Sequence, residues 1–306
     1  MKGGVLCMYV KLGCYDVKLK VYENGTVVCR NYKKNIYSDF QLENDTYDDF
    51  NSGRVSVNEL SKDISKTVRI DSLYRSRDLI IDYASENDVW KSFITLTFDP
   101  KRYNFIDDIS CANKYFVLWR KQVARKCKSL GIDFMYLGVP EFQKNGNVHY
   151  HILTNISCDT SLIPKREHKR LWKPKEKIYT ELDYYDLPYW SYGHSTAFDV
   201  VNDTDDKFNV ALYITKYLYK DIDNRLYGHT RVLKSNNLKS PDVYKLSSTS
   251  DTYKNAISYL KEKGYDILNS YETLPTQENS YIIPSTTITY KIQDNNIILK
   301  KLLEEK

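Results

Sequence analysis

His149 and His151 flank a single residue, Tyr150, in the run GNVHYHIL (146–153). Side chains two apart on a strand point to one face, so the two imidazoles project together and Tyr150 projects the other way. That geometry begins a metal site, although a bare H-x-H also describes two ordinary strand histidines. The preceding run, DFMYLGVPEF (133–142), is strand-like and joins the histidine run through the five-residue turn QKNGN. Two strands so joined pair antiparallel, which brings Glu141 to the histidines. A carboxylate converging on two imidazoles is a three-ligand site with open positions, as a catalytic metal needs in order to take water or phosphate oxygens.

A second chemical stretch is NVALYITKYLYKDI (209–222). On a helix, at about 100° per residue, Tyr213, Lys216, Tyr217 and Lys220 fall within a stripe roughly 100° wide. Val210, Ala211, Ile214 and Leu218 occupy the neighbouring face and can pack on a sheet. The helix therefore offers two phenols and two ammoniums to a site. With 28 tyrosines in the chain, the pattern alone also describes an ordinary tyrosine-rich amphipathic helix.

Other elements must position these groups. SFITLTFDP (92–100) reads as a strand with Phe93, Thr95 and Thr97 on one face and Ile94, Leu96 and Phe98 on the other, stopped by Pro100. Residues 71–88 show helical spacing in Leu73, Arg77, Ile80, Ile81 and Ala84. Residues 107–130 form a second amphipathic helix, with Ile109, Tyr115, Phe116, Leu118, Trp119 and Val123 inward and Arg120, Lys121, Arg125 and Lys126 outward, ended by Gly131. The basic run PKREHKRLWKPKEK (164–177), with Trp172 inside it, has the composition of a single-strand binding groove or of a solvated face. His168, His194 and His229 read as structural. Residues 5–34 alternate about ENGT, a hairpin signal, and 38–66 form a polar connection. Residues 251–264 are helical, followed by an extended element and a short terminal helix. The expected organisation is a β hairpin and connection over 1–70, a catalytic domain over 71–240 and a helical and extended element over 241–306.

Composition sets the class. Charged residues are 28% and apolar ones 42% of the chain, as in a folded soluble protein, and the net charge of +5 suits an acidic partner such as nucleic acid. The six cysteines are scattered without C-x-x-C, which reads as free thiols in a reduced compartment. The N-terminal apolar run is too short for a signal peptide, and no stretch approaches the roughly 18 apolar residues of a membrane span. The expectation is a cytoplasmic protein with no membrane partner. No P-loop is present, so the chain carries no such motor.

In order, the strand T-L-T-F, the acidic residue before H-Y-H and a downstream Y-x-x-K-Y-x-x-K resemble the HUH endonucleases of the rolling-circle replication initiator type. The resemblance covers about residues 70–240. It implies an α/β (α+β) fold with a central antiparallel sheet and flanking helices, a palm like that of RNA-recognition domains. It also implies site-specific nicking and joining of single-stranded DNA at a replication origin. His149, His151 and Glu141 would hold Mg2+ or Mn2+, Tyr213 and Tyr217 would be nucleophiles forming a 5′-phosphotyrosine, and Lys216 and Lys220 would stabilise the phenolate or grip the phosphate. A separate host helicase and polymerase would act with it. Relaxases place their tyrosines before the histidine motif, whereas here the histidines come first. A two-tyrosine transposase, a mobilisation nickase and a non-catalytic nucleic-acid-binding module remain alternatives.

Overall fold

Short apolar-alternating runs bounded by Gly, Pro and Asn build two antiparallel sheets here, each with helices on at least one face. In this computed structural model the residues described are 14–37, 70–103, 108–143, 146–173, 178–200, 214–215, 226, 228–262, 266–274, 283–292 and 296–304. The chain divides into two units, residues 66–240 and a second made of residues 1–65 with 241–306.

The strands of the first unit are β3 (Ser92–Phe98), β4 (Tyr136–Phe142), β5 (Val148–Thr154), β6 (Lys165–Lys173), β7 (Ile178–Tyr185), β8 (Gly193–Asp199) and β9 (Leu233–Lys234); those of the second include β1 (Cys14–Val21) and β2 (Thr26–Tyr37). The first unit also holds helices α1 (Ile70–Glu86) and α2 (Ile109–Ser129). Its sheet has seven strands in the order β6-β7-β8-β3-β5-β4-β9. The expected central strands are all present, and β3 lies between β5 and β8. The run 164–173 forms β6, paired with β7.

Alternation divides this sheet into two buried faces. On one, Ile94, Leu96, Phe98, Val148, Tyr150 and Ile152 pack with Ile109, Ala112, Phe116, Trp119 and Val123 of α2. On the other, Phe93, Leu137, Val139 and Leu153 pack with Ile80 and Ala84 of α1. Helix α2 starts where the Asp108 carboxylate accepts the Cys111 N–H at 2.9 Å, and the chain leaves it through Gly131 at φ +72, left-handed backbone that a side chain disfavours. The inward face of α2 differs from expectation at two positions. Leu118 is 53% exposed, whereas Arg120 turns inward with its guanidinium 5.9 Å from the Tyr136 ring centroid and donates to Tyr136 Oη at 3.3 Å. Arg120 has a long apolar stem and a planar head that can cover an aromatic ring, so its charge alone misplaced it.

In the second unit β1 and β2 pair through the Asn24–Gly25 turn, where Gly25 has φ +80. The expected front hairpin thus stands over 14–37, and its earlier part and the connection 38–66 lie outside the described residues. The remaining elements are β10 (Asp242–Leu246), α3 (Asp251–Glu262), β11 (Asp266–Thr273), β12 (Ser285–Lys291) and α4 (Ile297–Glu304). The sheet order is β10-β1-β2-β12-β11, so strands from both ends of the chain alternate in one sheet. Val17, Leu19, Val21, Val27 and Cys29 form its core with Ala256, Leu260, Leu299 and Leu303.

The described cysteines are all free thiols, and Cys29, Cys127 and Cys158 are buried whereas Cys14 is exposed. Among the described residues no helix is long and apolar enough to cross a membrane. Two outcomes follow from the packing. Leu96→Ala, at a fully buried position, should cost about 2–5 kcal/mol in urea unfolding. Burial pushes the Cys29 thiol up to about 11, so iodoacetamide should modify Cys14 in mild alkali and reach Cys29 only as pH approaches that value, read by mass spectrometry.

Candidate active site

The histidine run forms β5 between β4 and β3, and the ladder fixes what each histidine faces. Glu141 of β4 lies directly opposite His149, and Val139 opposite His151. On the other side Thr97 lies opposite His149 and Thr95 opposite His151. Cross-strand partners share a face, so Glu141, His149, His151, Thr95 and Thr97 all lie on the face opposite α2. Tyr150 points the other way, as its place between two histidines requires. It is fully buried, stacks on Phe116 with ring centroids 4.8 Å apart and donates its hydroxyl to Asn113 Oδ1 at 2.9 Å. Burial drives its phenol pKa well up.

Glu141 and His151 are in direct contact, with Oε2 2.6 Å from Nε2, and both are buried, at 6% and 7% side-chain exposure. The other ring nitrogen, Nδ1, lies 3.2 Å from Thr95 Oγ1, and Phe93 stacks on the ring at a 5.9 Å centroid separation. His151 is therefore held on three sides. The His149 ring lies 6.2 Å from that of His151. Two imidazoles and one carboxylate on one sheet face are donor types that a divalent ion accepts. Among the described residues no three His, Cys, Asp or Glu side chains converge on a common point. Glu141 and His151 are closed on each other, and an ion could enter this set only as that hydrogen bond opens.

Of the tyrosine stretch, only Ile214 and Thr215 are among the described residues. Residues 214 and 215 are helical, and Ile214, fully buried, belongs to one cluster with Val139 and Leu153. Val139 is the ladder partner of His151, and Leu153 lies two residues from it on β5. Val200 and Val232, on either side of the stretch in sequence, join that cluster too. Arg231, next to Val232, donates to Ser72 Oγ of α1 at 2.9 Å. Tyr213, Lys216, Tyr217 and Lys220 themselves lie outside the described residues.

Three further polar residues belong to this face. Thr95 and Thr97 showed themselves in sequence only as alternating strand residues, since their strand's neighbours could not be read from it. His194 of β8 lies opposite Thr97 and is exposed, where the sequence suggested a structural role. It lines a cleft of about 480 Å³ with Thr97, Asp99, Arg102 and Tyr192. That cleft depends on Gly193, because a Cβ there would lie 2.3 Å from Thr97 O and 2.4 Å from Asp99 N. Trp190 Nε1 donates to Thr97 O at 2.9 Å.

An antiparallel sheet with a helix-packed apolar face and a histidine–carboxylate face defines an α+β protein whose polar site is carried by adjacent strands. The family described as replication-associated protein ORF2 matches residues 91–222, which run from the start of β3 through the tyrosine stretch. That part of the chain is similar to replication-associated proteins. No curated protein and no solved structure matches the chain.

Thr95 has a role that this geometry makes testable. Its hydroxyl can donate to Nδ1 while Nε2–H donates to Glu141. T95V keeps the side-chain shape and removes that buried partner of the ring, so it should lower stability by about 1–3 kcal/mol in urea unfolding, and T95S should restore most of it. Equal stabilities for T95V and the unaltered protein would refute the role.

Proposed function

We propose that the chain is a rolling-circle replication initiator that nicks one DNA strand at an origin and rejoins it through a covalent 5′-phosphotyrosine. The observation that carries this reading is a juxtaposition. The buried Glu141–His151 pair and His149 occupy one sheet face, and Ile214, within Y-x-x-K-Y-x-x-K, packs in the apolar cluster of that same face. The family match over this stretch supports a replication protein, and the chemistry of the residues supports the nicking step.

Cutting a strand without losing the phosphodiester's energy requires a nucleophile that stays bound to the phosphate. Tyr213 supplies its phenol oxygen. The Tyr213 oxygen–phosphorus bond forms as the phosphorus–O3′ bond breaks, the phenol proton passes to solvent, and the released 3′-oxygen takes up a proton to leave a primer hydroxyl. Tyr217, four residues on in the sequence, attacks the regenerated junction after a round of synthesis: its oxygen–phosphorus bond forms as the phosphorus–O3′ bond there breaks, and the freed 3′-hydroxyl attacks the Tyr213-linked phosphate, displacing the phenol and rejoining the strand. Lys216 and Lys220, each three residues after a tyrosine in the sequence, hold the phosphate and favour the phenolate. His149, His151 and Glu141 would hold Mg2+ or Mn2+, which would supply positive charge to the non-bridging oxygens and the leaving oxygen. The ladder, Phe93 and Thr95 orient His151 beside Glu141, and their mutual hydrogen bond would open for the ion to enter. A single-strand nickase needs its duplex opened, and a separate host helicase performs that step, with a host polymerase extending the 3′ end.

With a labelled single strand carrying the replicon's origin and Mn2+, the unaltered protein should form a covalent adduct that survives denaturing electrophoresis. Y213F should lose most of it, and Y213F/Y217F all of it. An adduct of normal yield from the double variant would reject the tyrosine assignment. H149A/H151A should lose adduct formation while retaining its fold by circular dichroism; undiminished cleavage by that variant would reject the metal site.

A further inference from the structure

The cleft beside the histidine face has no part in the nicking chemistry. It lies where β3 ends and β8 begins, at the ladder pair Phe98–Gly193, and Thr97, Asp99, Arg102, Ser191, Tyr192 and His194 line it. Asp99 opens a turn after β3: its Oδ1 accepts the Lys101 N–H at 3.0 Å and its carbonyl accepts the Tyr103 N–H at 2.8 Å. The two walls are tied together there, because the Asp99 N–H donates to Tyr192 O at 3.0 Å.

Tyr192 is half-buried, and its ring is set at steep angles to those of Tyr103, Tyr115 and Trp190, at centroid separations of 5.7, 4.8 and 5.2 Å. Three such contacts fix the ring's orientation. Ser191 and His194 are exposed and add a hydroxyl and an imidazole to the lining. Asp99 adds a carboxylate, which has acceptor sites beyond those its own turn uses.

Charge and size point to what such a cleft takes. Arg102 Nε lies 3.7 Å from Asp99 Oδ2, so these two charges offset one another and the lining holds no excess of fixed charge to draw a phosphate. An oriented aromatic ring with donors and acceptors around it suits instead a flat, neutral heterocycle that stacks on the ring and is read at its edge, as an unstacked nucleobase is. A volume of about 480 Å³ is toward the small end of ligand clefts, which run from about 300 to 1,000 Å³. Position favours the same ligand. Glu141, His149, Thr97 and His194 form one row across β4, β5, β3 and β8, which puts His194 two strands from His149, roughly 10 Å at the spacing of a sheet. A DNA strand advances about 3.4 Å per nucleotide or more, so the cleft is within about three nucleotides of the histidines.

We propose that this cleft takes one unstacked base of the DNA strand and selects which base is accepted close to the nick, with Tyr192 providing the ring on which it lies and Ser191, His194 and Asp99 hydrogen-bonding its edge. DNA as the ligand rests on the nicking reading; the fit of the cleft to a neutral heterocycle does not.

The test is a cycle between strand and protein. A fluorescein-labelled single strand carrying the origin is made abasic at one position at a time, and binding to the full-length protein is followed by anisotropy in EDTA, where nicking plays no part. Removing the base at one position, with every phosphate kept, should weaken binding by about 5- to 150-fold. In H194A and in Y192L the same abasic strand should lose much less, while losses at other positions match those of the unaltered protein. H194A, at an exposed position, keeps the test valid should Y192L melt early. Exchanging the base at that position for each of the others should change affinity several-fold in the unaltered protein and less in H194A; equal affinities for all four bases would reject the selection. Equal abasic losses in H194A, a folded Y192L and the unaltered protein would overturn the base site. Where a covalent adduct forms in Mn2+, sequencing the cut end gives the distance from the nick to the coupled position, and more than about three nucleotides would overturn the placement. A coupled position without any adduct would reject the nicking reading and leave the base site standing.

Discussion

The alternation of side chains along β5 is the constraint on which the site depends. Val148, Tyr150 and Ile152 are locked into the core under α2, and that packing forces His149 and His151 onto the other face. A slip of one residue would bury two imidazoles against Phe116 and Trp119 and move Tyr150 onto the face of Glu141, so the register is strongly specified. The same ladder then sets Glu141 beside His149 and Thr95 beside His151. The polar site is thus a by-product of an apolar core on the reverse side of the same strands.

Burial gives that polar face its electrostatic character. Glu141 and His151 are nearly inaccessible to water, and a hydrogen bond between such groups is stronger than one in solvent, just as leaving either unsatisfied would be costly. Their contact answers that cost within the sheet, and a divalent ion taking the place of the contact would answer it equally well. Next to it the cleft at Thr97, Tyr192 and His194 offers the same face a more solvated margin, and Gly193 is the residue whose lack of a side chain lets β8 approach β3 closely enough to form it.

The second unit is also built on a sheet with an apolar face packed by helices. Its strands come from positions far apart in the chain: β1 and β2 precede the histidine unit, and β10, β11 and β12 follow it. Leu19 and Cys29 from the earlier part share one core with Leu260 and Leu299 from the later part.

By itself the sequence determined what depends on local period and local turns. The three central strands, the helices over 70–86, 109–129 and 251–262, the hairpin at Asn24–Gly25 and the shared face of His149, His151 and Glu141 all follow from spacing two or 3.6 residues apart and from a short turn. Local pattern misjudged Leu118 and Arg120, because which flank of a helix meets a partner depends on the partner. Thr95 and His194 were visible as residues but not as neighbours of the histidines, since the insertion of β3 between β5 and β8 is a long-range choice. The joining of both ends of the chain in one sheet belongs to the tertiary structure alone. Strand pairing across hundreds of residues leaves no local period, and it is decided by which apolar faces can cover one another.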